Sequence, residues 1–395
     1  MNILFVTPSF PDRGKPATGF HNYLYRVSLA LLQLGHKPFI LTAGKRNGRR
    51  IEKGIEIRTV QILGYVDCSS KTVNYAVNAL HKGYVLNKEI SRLVKDVHMD
   101  VIQFTSLEAI ALFYREDIPA VLRLSSYARI TFSTFETHSR TEVKVMAMME
   151  RMSAGRCRSV FAPCRNTARE FEKDIKRKVH VVETPFVNDV QTYDSTYVDT
   201  YLKGKKYALF FGTLYAVKGI LVIAKILKDF LKENPEQYFA FIGDVKSING
   251  ESPAKILQKA AGEYAERILI GKALPHEQLY PVIRQADFVV MPSLMDNMPN
   301  ACIEAMYFQR VVIGTDGASF EQLITHGKNG LLCKIGDAED LLEKMRMAVQ
   351  MDSEEKEMMG KRARKRVDKL KPEYAVKKLL CLYEYIIKNE KENVK

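Results

Sequence analysis

Short aliphatic or β-branched runs alternate with longer amphipathic segments along almost the whole of this chain, and the alternation pauses once, near the middle. In the first series, strands are expected over residues 2–6, 38–42, 101–104, 120–124, 159–162 and 179–182. A helix over 20–34 is ended by Gly35 as its C-cap. In the second series, strands are expected over 207–211, 238–242, 267–270, 288–291 and 311–314, and helices over 219–231, 253–264 and 301–307. Strand alternating with helix implies parallel sheets covered on both faces. A chain of 395 residues exceeds what one ordinary core can serve, so the two series read as two domains.

The pause lies at 183–201, ETPFVNDVQTYDSTYVDTY, which is polar, lacks periodicity and suits a linker. The expected organisation is therefore α/β, with two doubly wound Rossmann-like domains over 1–190 and 191–370. A C-terminal helical segment over 371–395 follows. Ligands of such sheets bind at the carboxyl ends of the strands, near helix N-termini and switch points.

Bulk properties narrow the function classes. The chain has no run of about 18 apolar residues, so no membrane-spanning helix is expected. The opening MNILFV enters a strand without a basic leader, which argues against a signal peptide. Six scattered cysteines with no CxxC read as reduced thiols, and the expected location is cytoplasmic. Residues 1–195 hold 29 Lys and Arg against 19 Asp and Glu, a net +10 that leaves +4 for the remainder. That asymmetry suits an anionic partner such as phosphate or the inner face of an anionic membrane, and equally suits a generally basic, soluble surface. Nucleic acid is not expected: Trp is absent and no basic–aromatic motif recurs.

Two segments carry chemistry. In FFGTLYAVKG, 210–219, a strand ends at Gly212 and Lys218-Gly219 opens a helix. A helix N-terminus with one lysine suits a diphosphate, because the amides and the ammonium both face the anion; the alternative is a surface lysine in a first turn. In PSLMDNMPNACIEAM, 292–306, Asp296 lies in a loop and Glu304 in the helix that follows. Carboxylates accept paired hydrogen bonds from vicinal hydroxyls, and the loop amides suit sugar hydroxyls. The alternative is a loop cap and an ordinary helical glutamate.

These segments, with GTDGASFEQLITHGKNGLLCKIGDAEDL and the N-terminal TPSFPDRGKPATG and LGHKPFILTAG, resemble the retaining GT-B glycosyltransferases of family 4. The family's Glu-x7-Glu pattern corresponds to Asp296 and Glu304, and its GRLxxxKG turn to Gly212-Thr213-Leu214 through Lys218-Gly219. The resemblance implies two domains facing across a cleft, the first binding acceptor and the second binding a nucleotide sugar, with the last helix returning to the first domain. It implies Lys218, Asp296 and Glu304 as catalytic residues. Lys218 would hold the donor diphosphate, Glu304 the ribose and Asp296 the hexose. Gly19, Gly212, Thr213, Lys272, Ala273, Leu274, Asn297, Met298, Pro299 and Asn300 would complete the donor site. Ser125, Arg129 and His21 are candidates for the acceptor side, and His21 equally suits a capping or packing role. No metal and no cofactor beyond the donor are implied. The expected reaction moves a hexose from a nucleotide diphosphate sugar, UDP-sugar first, to a glycan or lipid-linked acceptor in cell-surface polysaccharide synthesis.

Three positions depart from the family pattern: Thr213 replaces its arginine, Asp296 its first glutamate, and Ser125 a histidine after the strand AVLRL. Arg123, Arg129 and Lys15 are candidate compensating cations, each equally readable as an ordinary strand-end or surface charge. A non-catalytic nucleotide- or glycan-binding subunit is the alternative that these changes motivate. The segment 127–158, rich in aromatic, Met and basic residues, reads either as an acceptor or membrane-surface site or as a methionine-rich core helix.

Overall fold

The computed structural model describes residues 1–11, 19–132, 138–188 and 190–393. Lys15 and residues 133–137 of the aromatic segment lie outside that set. Two compact units are present, one made of Met1–Val187 with Leu370–Lys395 and the other of Asn188–Lys369.

The first unit runs β1 (Asn2–Thr7), α1 (Gly19–Gln33), β2 (Lys37–Gly44), β3 (Gly48–Glu52), β4 (Ile55–Gln61), α2 (Lys71–Asp96), β5 (Val101–Thr105) and β6 (Ala120–Arg123). It continues with α3 (Ala128–Thr131), α4 (Arg140–Gly155), β7 (Ser159–Ala162), α5 (Arg165–Ile175) and β8 (Val179–Val181). Among the described residues its sheet has eight strands in the order β3-β4-β2-β1-β5-β6-β7-β8. Only β3 with β4 pairs antiparallel. The strand order reverses direction between β1 and β5, which is the switch point of this sheet.

The second unit runs β9 (Lys206–Phe211), α6 (Ile220–Glu233), β10 (Gln237–Ile242), α7 (Pro253–Ala261), β11 (Ile268–Gly271), α8 (His276–Gln285) and β12 (Phe288–Met291). After these come α9 (Asn300–Tyr307), β13 (Val312–Asp316), β14 (Leu331–Lys334), α10 (Ala338–Gln350) and α11 (Ser353–Asp368). Its sheet is parallel, in the order β11-β10-β9-β12-β13-β14, with the switch point between β9 and β12.

The last helix, α12 (Pro372–Asn393), packs in the first unit. Val376, Leu379, Tyr383 and Ile386 join the core that α1 forms over β1, and the Tyr383 hydroxyl donates to Gln103 Oε1 at 2.6 Å. Phe186 N–H donates to the Leu370 carbonyl, so the outgoing and returning segments are joined by backbone. At the end of α1, Gly35 takes a left-handed φ of 79°, and the amides of Gly35 and His36 donate to Leu32 and Leu31, which closes the helix.

Four elements, β3, β4, α8 and β14, went unread in the sequence. The β3–β4 hairpin turns at Lys53-Gly54, both with positive φ, which is the two-residue turn that suits strand twist. Helix α8 contains Pro281, and β14 is only four residues long. Lys218 also sits differently: it ends a single 3-10 turn, Ala216–Lys218, and left-handed Gly219 separates it from α6. Glu304 is the fifth residue of α9, beyond its first turn.

The methionine-rich segment is largely core. Helix α4 buries Val143, Met146 and Met149 while Met148 and Met152 face out. Its Glu150 is buried and accepts the Ala128 N–H at 2.9 Å. Burial pushes this carboxyl from 4.5 up to about 8, against the pull of that N–H and of Arg151. The folded protein thus keeps a proton that the unfolded chain loses, and stability falls as pH rises from about 4.5 to about 8. Glu150→Gln is expected to remove that fall, on the order of 5 kcal/mol. Urea unfolding at both ends of the window checks it, and an unchanged pH slope in the variant rejects it.

Candidate functional site

In the second unit, the loops after β9 and β12 flank the switch point, where diverging connections open a crevice at the strands' carboxyl ends. Backbone contacts lace these loops together. Leu214 N–H donates to the Asp244 carbonyl at 2.7 Å, Lys246 N–H to the Leu214 carbonyl at 3.1 Å, and Leu294 N–H to the Val217 carbonyl at 2.8 Å. Glycine permits two of the closest approaches. A Cβ on Gly219, with φ 81°, would lie 2.0 Å from the Pro292 carbonyl oxygen, and one on Gly243 would lie 1.8 Å from that of Gly212.

On this platform Lys218 Nζ meets Asp296 Oδ2 at 2.5 Å. The sequence brought these two forward in separate roles; the fold makes them an ion pair. Lys218 is 35% exposed, so the pair contributes only about 0–1 kcal/mol and an incoming anion can compete for the ammonium. Asp296 is itself fixed: Oδ1 accepts the Asn297 N–H at 2.9 Å, and the Ser319 hydroxyl donates to the Asp296 carbonyl at 2.9 Å. Beside them, Gly219 and Pro299 are the N-cap residues of α6 and α9, and neither helix has a side-chain cap. Cys302, within α9, is buried, and burial with the nearby Asp296 charge pushes its thiol well up.

Glu304 is 7% exposed, and Oε1 lies 3.6 Å from His276 Nε2. His276 starts α8 directly after the 272–275 loop, where Lys272 and Ala273 are exposed and Leu274 is half-buried. Its ring stacks on Tyr280 at 4.9 Å. His276 and Ser319 are the residues that sequence reading missed. Neither belongs to a spacing motif; Ser319 is marked only by its left-handed φ of 72°, a strained conformation typical of functional positions.

In the first unit, Ser125 follows β6 and sits in a hydroxyl cluster. Its Oγ is 2.7 Å from Thr105 Oγ1, and its N–H donates to Ser106 Oγ at 3.1 Å. Arg123 is 5% exposed, donates to Ser125 Oγ at 3.0 Å and to Thr184 Oγ1 at 3.3 Å, and lies 3.8 Å over the Tyr23 ring. Among the described residues no carboxylate pairs with it, and burial lowers its pKa. Arg129 instead turns to α5, where Asp174 and Glu170 neutralise it at 2.8 and 3.2 Å. His21 Nε2 is 3.4 Å from Ser9 Oγ, and burial holds its imidazole below the usual pKa against the Ser9 backbone contact. Gly19 is the exposed first residue of α1. Among the described residues no group of three or more His, Cys, Asp or Glu is placed to hold a metal ion, and no helix is long and apolar enough to cross a membrane.

Two units, each built on a doubly wound sheet, define a GT-B protein, and solved GT-B structures match nearly the whole chain. One is a sucrose-phosphate synthase from Thermosynechococcus elongatus, with 15% identity over 98% of this chain and 99% of that one and a TM-score of 0.77. Another is a trehalose-6-phosphate structure from E. coli bound with UDP-2-fluoro glucose, with 11% identity over 98% and 99% and a TM-score of 0.70. A third is WaaG, a glycosyltransferase involved in lipopolysaccharide biosynthesis, with 15% identity over 95% and 98% and a TM-score of 0.65. At such identities the likeness speaks for the fold. The glycosyl transferases group 1 family matches residues 199–366, most of the second unit. No curated protein is similar to it in sequence.

Proposed function

We propose that the chain is a retaining, metal-independent hexosyltransferase that takes its sugar from a nucleotide diphosphate donor, UDP-sugar first. The acceptor in this reading is a glycan or lipid-linked saccharide of cell-surface polysaccharide synthesis, met at the cytoplasmic face of an anionic membrane. The observation that carries the proposal is the Lys218–Asp296 pair at the β9/β12 switch point, with Glu304 on the helix that follows. A donor diphosphate draws the Lys218 ammonium to its oxygens and uses the uncapped start of α6. Glu304, positioned beside His276, accepts hydrogen bonds from the ribose hydroxyls. Asp296, once its partner turns to phosphate, accepts from the hexose, and the 297–300 amides hold the remaining sugar hydroxyls.

As the bond from the anomeric carbon to the phosphate oxygen breaks, negative charge grows on the leaving diphosphate beside Lys218. The acceptor hydroxyl forms the new bond on the same face and passes its proton to that phosphate oxygen. The basic N-terminal half supports an anionic acceptor. The likeness to a structure bound with UDP-2-fluoro glucose and to WaaG supports the choice of donor and pathway class.

Calorimetric titration with UDP, GDP and ADP tests this reading. One nucleotide, UDP first, is expected to bind, and Glu304→Gln to weaken it roughly ten- to hundredfold, the worth of a hydrogen bond to a charged group. Binding of none of the three by the folded protein removes the donor site and favours a non-catalytic glycan-binding subunit, the reading motivated by Thr213, Asp296 and Ser125.

A further inference from the structure

The first unit has another concavity, at the strand ends opposite to Arg123 and Ser125. A groove of about 700 Å3 is lined by the start of β7, the segment entering β8, and the outer face of α12. Strand β8 is the edge of its sheet. Five permanent cations line the groove: Arg158, Arg177, Lys178, Lys377 and Lys378; no carboxylate is among its lining residues. Among the described residues no carboxylate pairs with Lys178, Lys377 or Lys378. Arg177 is pinned in place by donating to the carbonyls of Cys157 at 2.9 Å and Ala154 at 3.0 Å, at the end of α4.

Like charges drawn together from two elements repel, and the arrangement is relieved by an anion that bridges them. His180 adds no charge near neutral pH, because burial and then the Lys178 cation lower its pKa, against a pull from Glu172. The floor has a different character. Val181 and Tyr385 present apolar surface above the buried Leu382, Tyr385 is 57% exposed, and its ring lies 6.5 Å from that of His180. Exposed apolar surface rimmed by cations suits a ligand that is anionic at one end and apolar at the other.

We propose that this groove binds an amphiphile whose phosphate head leaves it net negative, with the phosphate among Lys178, Lys377 and Lys378 and the apolar part over Val181 and Tyr385. The ligand ties α12 to the sheet edge. The site is independent of the donor reading, and either can fail alone.

Cys381 lines the groove and reports on it. Of the six cysteines only Cys68 and Cys381 are exposed, so in a Cys68→Ser protein Cys381 is the thiol that reacts with a disulfide reagent. Dihexanoyl phosphatidic acid, below its micellar concentration and at ten times its Kd, is expected to slow that reaction about tenfold. Dihexanoyl phosphatidylcholine and inorganic phosphate at the same concentration are expected to leave it unchanged. The protection is expected to vanish in Lys377→Glu/Lys378→Glu and in Lys178→Glu, whose altered side chains are exposed and whose thermal melts report folding.

Sedimentation with phosphatidylglycerol vesicles separates the sources. Co-sedimentation lost in the charge-reversal variants assigns a membrane lipid, and protection without co-sedimentation assigns a soluble amphiphile. The proposal is overturned if phosphatidic acid gives no protection, if phosphate or phosphatidylcholine protects equally, or if protection survives in the folded variants.

Discussion

Lys218→Ala is expected to lower kcat/KM for the donor by roughly 10²–10³ while leaving the protein folded. The size follows from where charge develops. In the ground state the ammonium has Asp296 as a partner at 2.5 Å, and a pair with this exposure contributes little to stability. In the proposed reaction the leaving diphosphate gains charge beside it at the transition state, so the interaction would strengthen just where it lowers the barrier. Thr213, the neighbour in the turn, is neutral and cannot take over the role. Lys218→Arg is expected to recover part of the rate, because it restores charge with a different reach. The measurement is nucleotide release in the presence of acceptor, with urea unfolding as the control. A Lys218→Ala protein within threefold of the parent would remove the residue from the mechanism.

Gly219→Ala acts on the same loop through sterics. The added Cβ would lie 2.0 Å from the Pro292 carbonyl oxygen, a backbone atom that cannot swing aside, and φ is 81°. Relief requires the β9 loop to lift from the β12 loop, which breaks the bond from Leu294 N–H to the Val217 carbonyl. The expected loss is about 3 kcal/mol or more, from backbone strain and overpacking together. Gly204 provides the comparison: its φ is 73°, but a Cβ added there would have nothing within 4 Å. Gly204→Ala therefore isolates the conformational part, about 1 kcal/mol. Equal losses of stability in the two variants would show that the close approach to Pro292 is not what Gly219 permits. Donor binding by any folded Gly219→Ala fraction is expected to fall as well, because Lys218 is its neighbour.

The β3–β4 hairpin shows where reading the sequence stopped. Its strands carry Arg49, Arg50, Glu52, Glu56 and Arg58, so charge masked the period-two pattern, although the Lys53-Gly54 turn was there to be read. Helix α8 was hidden by Pro281, and with it His276. Of the proposed compensating cations, Arg123 and Arg129 lie six residues apart and looked alike in sequence. The fold buries the first among hydroxyls and the Tyr23 ring and gives the second two carboxylates.

The sequence by itself determined what depends on local pattern. Hydrophobic period and breaker residues set the strands and helices, the two-domain α/β plan, the pause between its halves, and the loops at the ends of β9 and β12. Only the tertiary structure decided which charges meet. Lys218 and Asp296 are 78 residues apart in sequence and become partners because strand order, not chain order, places β9 beside β12. The same holds for His276 with Glu304, for Ser319 with Asp296, and for the cations that α12 brings to β8. Pattern reports which face of an element is apolar; distances between loops follow from how the elements stack, and no local period encodes them.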